Sequence, residues 1–267
     1  MLTIVLFFGL WLGLWLPIAI GLGRKLKWVP FRAATLDQKL PLLLSLYALA
    51  PVALWLGARL SGQALEDYGL TWAGLLTGEV MRSHLIGLGI ALAGLVLLWG
   101  LQWRWGWLVP AAGDPPAVLP VLALTGLLAL VVGLIEEWVF RGFGLSQLVA
   151  PWGLGLAALG LSLVFALLHL VWDGWGAAPQ LPGLTILGLV LCLAWWADGG
   201  SIGLAWGLHT GWVWGLAGLE ATERLRPAES APNWGLGWAG LPLTSPLILL
   251  LLLATGTIVW QLGLSRL

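Results

Sequence analysis

The stretch Ile135-Glu136-Glu137-Trp138-Val139-Phe140-Arg141-Gly142 puts two carboxylates and a guanidinium inside a region otherwise built from Leu, Val, Gly and Trp. What surrounds it decides the fold class. Of 267 residues, 60% are hydrophobic and 9% are charged, and the mean hydropathy is +0.96. A soluble domain carries about 25% charged residues, so this composition belongs to a polytopic membrane protein. Ionisable groups at membrane depth are costly and rare, and they read as functional by default. Two later stretches, Phe165-Ala166-Leu167-Leu168-His169 and His209-Thr210-Gly211-Trp212-Val213, each bring a histidine into a similar setting.

Outward from these motifs, apolar runs of about 20 residues can cross the hydrocarbon core as helices. Eight are read, at approximately 2–21, 41–60, 83–103, 117–137, 152–172, 182–197, 201–219 and 245–262. The expected fold is therefore all-α, a polytopic transmembrane helix bundle of about eight spans, with the site on the fourth, fifth and seventh helices. The fourth helix is expected to run on through Arg141 to about Leu148. The sixth and seventh, separated by Asp198-Gly199-Gly200, should form a tight hairpin. Segment 63–81 is too polar to span and, with Tyr68 and Trp72, suggests a short interfacial helix. Segment 221–242 reads as a loop without a motif. The chain divides into N-terminal helices and the interfacial segment (1–116), a core (117–220), and a loop with a C-terminal helix (221–267), together one integral membrane domain.

Arg24, Lys25, Lys27, Arg32 and Lys39 follow the first run, against a lone Asp37. This basic cluster places the first loop in the cytoplasm and both termini outside. It follows the apolar run rather than preceding it, which is the wrong polarity for a cleaved signal peptide, so the first segment is expected to be a retained helix. Zero net charge argues against nucleic acid as a partner, and the lone Cys192, set between leucines, reads as a small buried hydrophobe. Most of the 21 tryptophans are assigned to interfacial belts near the ends of the apolar runs.

Helical geometry sorts the charged groups. Residues four apart share a face, which pairs Glu137 with Arg141 and leaves Glu136 on another face. Removal from water disfavours the charged form of a carboxylic acid and can make it a competent general base near neutral pH. One Glu thus reads as structural and the other as available. Phe165 shares a face with His169. Gly199, Gly203, Gly207, Gly211 and Gly215 form a ridge that allows close helix approach, with His209 on the opposite side.

Structural readings stand beside these. The Glu-Glu-x-x-x-Arg cluster can be an interhelical network, and each histidine, His84 included, can simply bond a neighbouring helix. Two His and a Glu are plausible zinc ligands, although no His-Glu-x-x-His pattern is present. A transporter would more often show paired halves, and no internal repeat is visible.

In this order, Glu136-Glu137-x-x-x-Arg141, Phe165-x-x-x-His169 and His209 resemble the signature of the CPBP family of intramembrane glutamic endopeptidases. That family comprises the type II CAAX prenyl proteases and bacteriocin-processing or immunity proteins. The resemblance covers roughly 119–219. It implies metal-free hydrolysis without a cofactor, acting on a membrane-associated protein or peptide. Glu136 would be the base that activates water, His169 would hold the water, His209 would polarise the carbonyl, and Glu137, Arg141 and Phe165 would support the site. The family usually has Asn or Asp four residues after the third-motif histidine, where this chain has Val213. That departure keeps open a weak or inactive scaffold or immunity-type member. The short loops suggest the inner membrane of a bacterium. Substrate, recognition of prenylation and oligomeric state are not readable from the sequence.

Overall fold

The computed structural model describes residues 2–112 and 116–265, and among them long helices occupy all eight expected places. They are α1 (Leu2–Leu26), α2 (Leu36–Ser61), α3 (Glu79–Arg104), α4 (Val118–Glu137), α5 (Ser146–Asp173), α6 (Leu181–Ala197), α7 (Gly203–Thr222) and α8 (Pro246–Leu264). Six helical stretches among the described residues are long and apolar enough to cross a membrane, and one of these is the 56-residue run Val118–Asp173. Straight, such a run would be about 84 Å long, far beyond a hydrocarbon core of about 30 Å. It breaks at Gly153, whose φ of 72° and ψ of 160° are not helical, two residues after Pro151. The run therefore holds two of the expected spans. Helix α7 lies outside the apolar set because its glycines, His209 and Glu220 dilute the hydropathy. It is instead the buried centre, with α3, α4 and α6 packed around it. The protein is an all-α, multi-pass integral membrane protein.

Two kinds of contact hold α7 in place. Toward α3 it presents glycine. A methyl at Gly203 would lie 2.6 Å from the Val80 carbonyl and one at Gly211 2.6 Å from Ala91 Cβ, and a methyl at Gly207 would collide with the His84 carbonyl. With no bulk between them, the two backbones run side by side. Gly199 does not belong to this ridge. Its φ of 65° makes it part of the hairpin turn, with open space around it. Toward α4, α7 presents tryptophan: the indoles of Trp206 and Trp214 donate to the carbonyls of Leu130 and Leu122 at 2.9 Å each. Trp11 and Trp15 likewise bond Leu46 and Ser45 on α2. The belt reading covers most of the tryptophans, and these four add bonds between helices, which suits an indole N–H away from water.

Segment 63–81 is not one interfacial helix. It is a 3₁₀ turn (Leu65–Tyr68) and a short helix (Trp72–Leu76). Tyr68 is buried edge-on against Phe143 with centroids 5.1 Å apart. Segment 221–242 is also more ordered than expected. Its strand β2 (Leu225–Pro227) pairs antiparallel with β1 (Leu108–Pro110), and a short helix (Asn233–Leu236) follows.

Candidate active site

The opening stretch ends α4 and enters a π-helical segment, Trp138–Leu145, before α5 begins. The continuation past Arg141 was expected, but the change of winding was not. π turns inside α-helices are rare and often mark functional sites. This one is fully buried over 139–145.

Arg141 is wholly buried. Its guanidinium donates to Glu137 Oε1 at 2.9 Å and to the Gly188 carbonyl of α6 at 3.1 Å, and lies 4.8 Å from the Phe165 ring centroid. One charge is thus matched by a carboxylate, a carbonyl and an aromatic face, which is what a guanidinium away from water needs. Glu137 Oε1 also accepts from His209 Nδ1 at 2.7 Å. Because a carboxylate only accepts, Nδ1 carries a proton and the Nε2 edge faces the other way. That edge lies 3.6 Å from Glu136 Oε2. His209, on the side of α7 away from the glycine ridge, therefore bridges the two carboxylates. If His209 is protonated at both nitrogens, Glu136, Glu137, Arg141 and His209 sum to zero charge.

The two glutamates differ in what is left to them. The Glu137 side chain is fully buried and engaged by Arg141 and His209, whereas that of Glu136 is 16% exposed. Glu136 Oε1 accepts a hydrogen bond from the hydroxyl of Tyr47, in the middle of α2. Tyr47 was missed in the sequence. The available signal was a phenol in the centre of an apolar run, since a buried tyrosine hydroxyl needs a partner.

The third expected residue, His169, is half-buried on α5. Its Nδ1 lies 2.9 Å from the Phe165 carbonyl, so that nitrogen is the donor, and in the neutral ring Nε2 is an acceptor. The Phe165 ring stands edge-on to His169 at 4.7 Å and to His209 at 6.0 Å. The two imidazoles thus flank one ring, and no direct bond joins His169 to Glu136. Val213 is half-buried and brings no polar atom. His84 is outside this group, buried with its ring 4.1 Å from that of Trp206. Among the described residues no cluster of three or more His, Cys, Asp or Glu is arranged to hold a metal ion. Arg141, wedged against Glu137, already supplies a cation there.

These features define a multi-pass membrane protein with a Glu–Glu–Arg–His cluster between α4, α5 and α7. The family expected from the three motifs is the one the chain matches: residues 118–215 fit the model described as type II CAAX prenyl endopeptidase Rce1-like, and all three motifs lie inside that span. No curated protein and no solved structure matches the chain.

Proposed function

We propose that the protein is an intramembrane endopeptidase that hydrolyses a peptide bond of a membrane-associated protein or peptide, with Glu136 as the general base. The description of the matching family makes prenylated CAAX-type sequences the substrates to try first. The observation that carries this reading is the division between the carboxylates. Glu137 is buried and doubly bonded to cationic or donor groups, and Glu136 alone keeps a partly open carboxylate.

Glu136 takes a proton from water as the water oxygen attacks the carbonyl carbon, and the carbonyl oxygen becomes an oxyanion. His169 Nε2, held as an acceptor, orients the water. His209, with Nδ1 anchored on Glu137, turns an Nε2–H toward the oxyanion when the ring is protonated. Collapse breaks the C–N bond, Glu136 returns the proton to the leaving nitrogen, and an acid and an amine result. Arg141 stays paired with Glu137, and Glu137 continues to orient His209.

The test is turnover of an internally quenched, farnesylated peptide ending in Cys-aliphatic-aliphatic-X by the purified full chain in proteoliposomes. Glu136→Gln should lower kcat by about 10²–10⁴-fold and His169→Ala should also lower it, with the fold retained. Equal turnover by wild type and both variants would reject the assignment. Full activity after exhaustive chelation is the expected outcome against a zinc enzyme. Val213 specifically favours one rival, a non-catalytic scaffold. Complementation of a deletion phenotype by Glu136→Gln would support that rival instead.

A further inference from the structure

Val213 leaves the proposed reaction one hydrogen-bond donor short, and a donor stands elsewhere in the site. Tyr47 is buried on α2, outside the residues matched by the family model, and its hydroxyl donates to Glu136 Oε1. His209 Nε2 faces the other oxygen of the same carboxylate at 3.6 Å. The carboxylate is therefore flanked by a phenol donor and an imidazole nitrogen from two different helices. We propose that Tyr47 is a catalytic residue, the second donor to the oxyanion, in place of the polar side chain that position 213 lacks. This rests on the endopeptidase reading above.

The chemistry follows the movement of one negative charge. In the resting site the phenol donates to an ionised carboxylate, a charge-assisted bond stronger than one to a neutral acceptor. When Glu136 takes the proton of water, that charge leaves the carboxylate. It reappears on the carbonyl oxygen as the new C–O bond forms. The water sits within hydrogen-bond reach of Glu136, and in a reactive pose the carbonyl carbon is about 3 Å beyond it. The phenol thus loses its ionised acceptor as another forms a short swing away. Tyr47 keeps its proton throughout. On collapse the C–N bond breaks, Glu136 gives its proton to the departing nitrogen, and the phenol returns to the regenerated carboxylate. The balance is one water consumed and one peptide bond cleaved.

Thr210 is the competing hydroxyl. It follows His209 directly and its buried Oγ1 has no partner, but that atom points at Gly133, one helical turn before Glu137. No bond brings it to Glu136.

The experiment is steady-state kinetics in proteoliposomes with the farnesylated quenched peptide, comparing wild type, Glu136→Gln, Tyr47→Phe, Thr210→Val and the double variant Tyr47→Phe/Val213→Asn. Thermal unfolding is followed on each. Tyr47→Phe should lower kcat by about a hundredfold with KM little changed, as loss of one oxyanion donor does. Adding Val213→Asn should restore much of that loss, because the amide enters from α7 where the second donor is expected. Thr210→Val should turn over like wild type. Undiminished kcat in Tyr47→Phe overturns the proposal, and so does a loss confined to Thr210→Val. A loss in Tyr47→Phe that tracks a lower unfolding temperature and is not relieved by Val213→Asn also overturns it, leaving Tyr47 a packing residue. If wild type turns over no faster than Glu136→Gln, the endopeptidase reading fails and takes the proposal with it.

Discussion

The two faces of α7 use opposite means to the same proximity. Toward α3 the helix has been stripped of side chains, so that Gly203, Gly207 and Gly211 bring backbone against backbone. Toward α4 it carries large and polar groups, with His209 on two glutamates and the indoles of Trp206 and Trp214 on carbonyls. One face is fixed by shape and the other by directed bonds. In lipid, where burying apolar surface gives helices little reason to associate, packing and hydrogen bonds are the means left. The glycine face anchors the helix, and the histidine face is held by directed bonds. If His209 acts as proposed, such anchoring would serve it, because reacting groups need close positioning.

Substitutions on each face can break or sharpen this contrast. The largest effect is expected at Arg141, where Arg141→Leu strands the buried Glu137 carboxylate and removes the tie to Gly188. About 3–5 kcal/mol should be lost in a reversible unfolding titration in mixed micelles. A wild-type midpoint would mean that the Glu137 charge is met in some other way. Next comes Gly207→Ala, whose methyl meets the His84 carbonyl, at about 1–3 kcal/mol of overpacking. Here the activity per folded molecule should fall too, through His209, and unchanged stability would show that α3 can step aside. Trp214→Phe removes one indole bond to Leu122 and should cost about 1 kcal/mol. Its catalytic effect should be small, since Glu136 lies three turns or more away along α4. Smallest of all is Lys39→Ala, which removes the half-buried ion pair with Asp173 at 2.8 Å and should change stability by about 0–1 kcal/mol. A large loss from Lys39→Ala would mean that α2 and α5 depend on that end contact.

Much of this arrangement was legible because a membrane reduces the grammar of a chain to apolar runs and interruptions. All eight helices, the pairing of Glu137 with Arg141 and the placement of His209 opposite the glycines follow from run length and from 3.6-residue periodicity. What was not legible depends on which helices become neighbours. Tyr47 and Glu136 are 89 positions apart, and no periodicity connects them. The tie from Arg141 to Gly188 ends on a main-chain oxygen, which any residue would supply. The π winding after Glu137 is invisible to arithmetic that assumes 100° per residue. Gly199 fitted the four-residue spacing and yet sits in a turn, since spacing cannot tell where a helix begins. Tryptophans were assigned by position along the runs, while four of them bond neighbouring helices.

On the endopeptidase reading proposed above, the strand pair β1–β2 bears on how a substrate would reach Glu136. β1 follows the end of α3 and β2 follows the end of α7, so the same two helices that meet through glycine are tied together again beyond their C-termini. At their other ends the Ser83 hydroxyl of α3 donates at 2.8 Å to Asp198, whose second oxygen receives the Leu204 amide of α7 at 3.2 Å. Fastened at both ends and seamless between, α3 and α7 behave as a single fixed wall. On the same reading, an opening that admits a peptide to Glu136 would fall to the other helices, with His209 carried on the doubly fastened side.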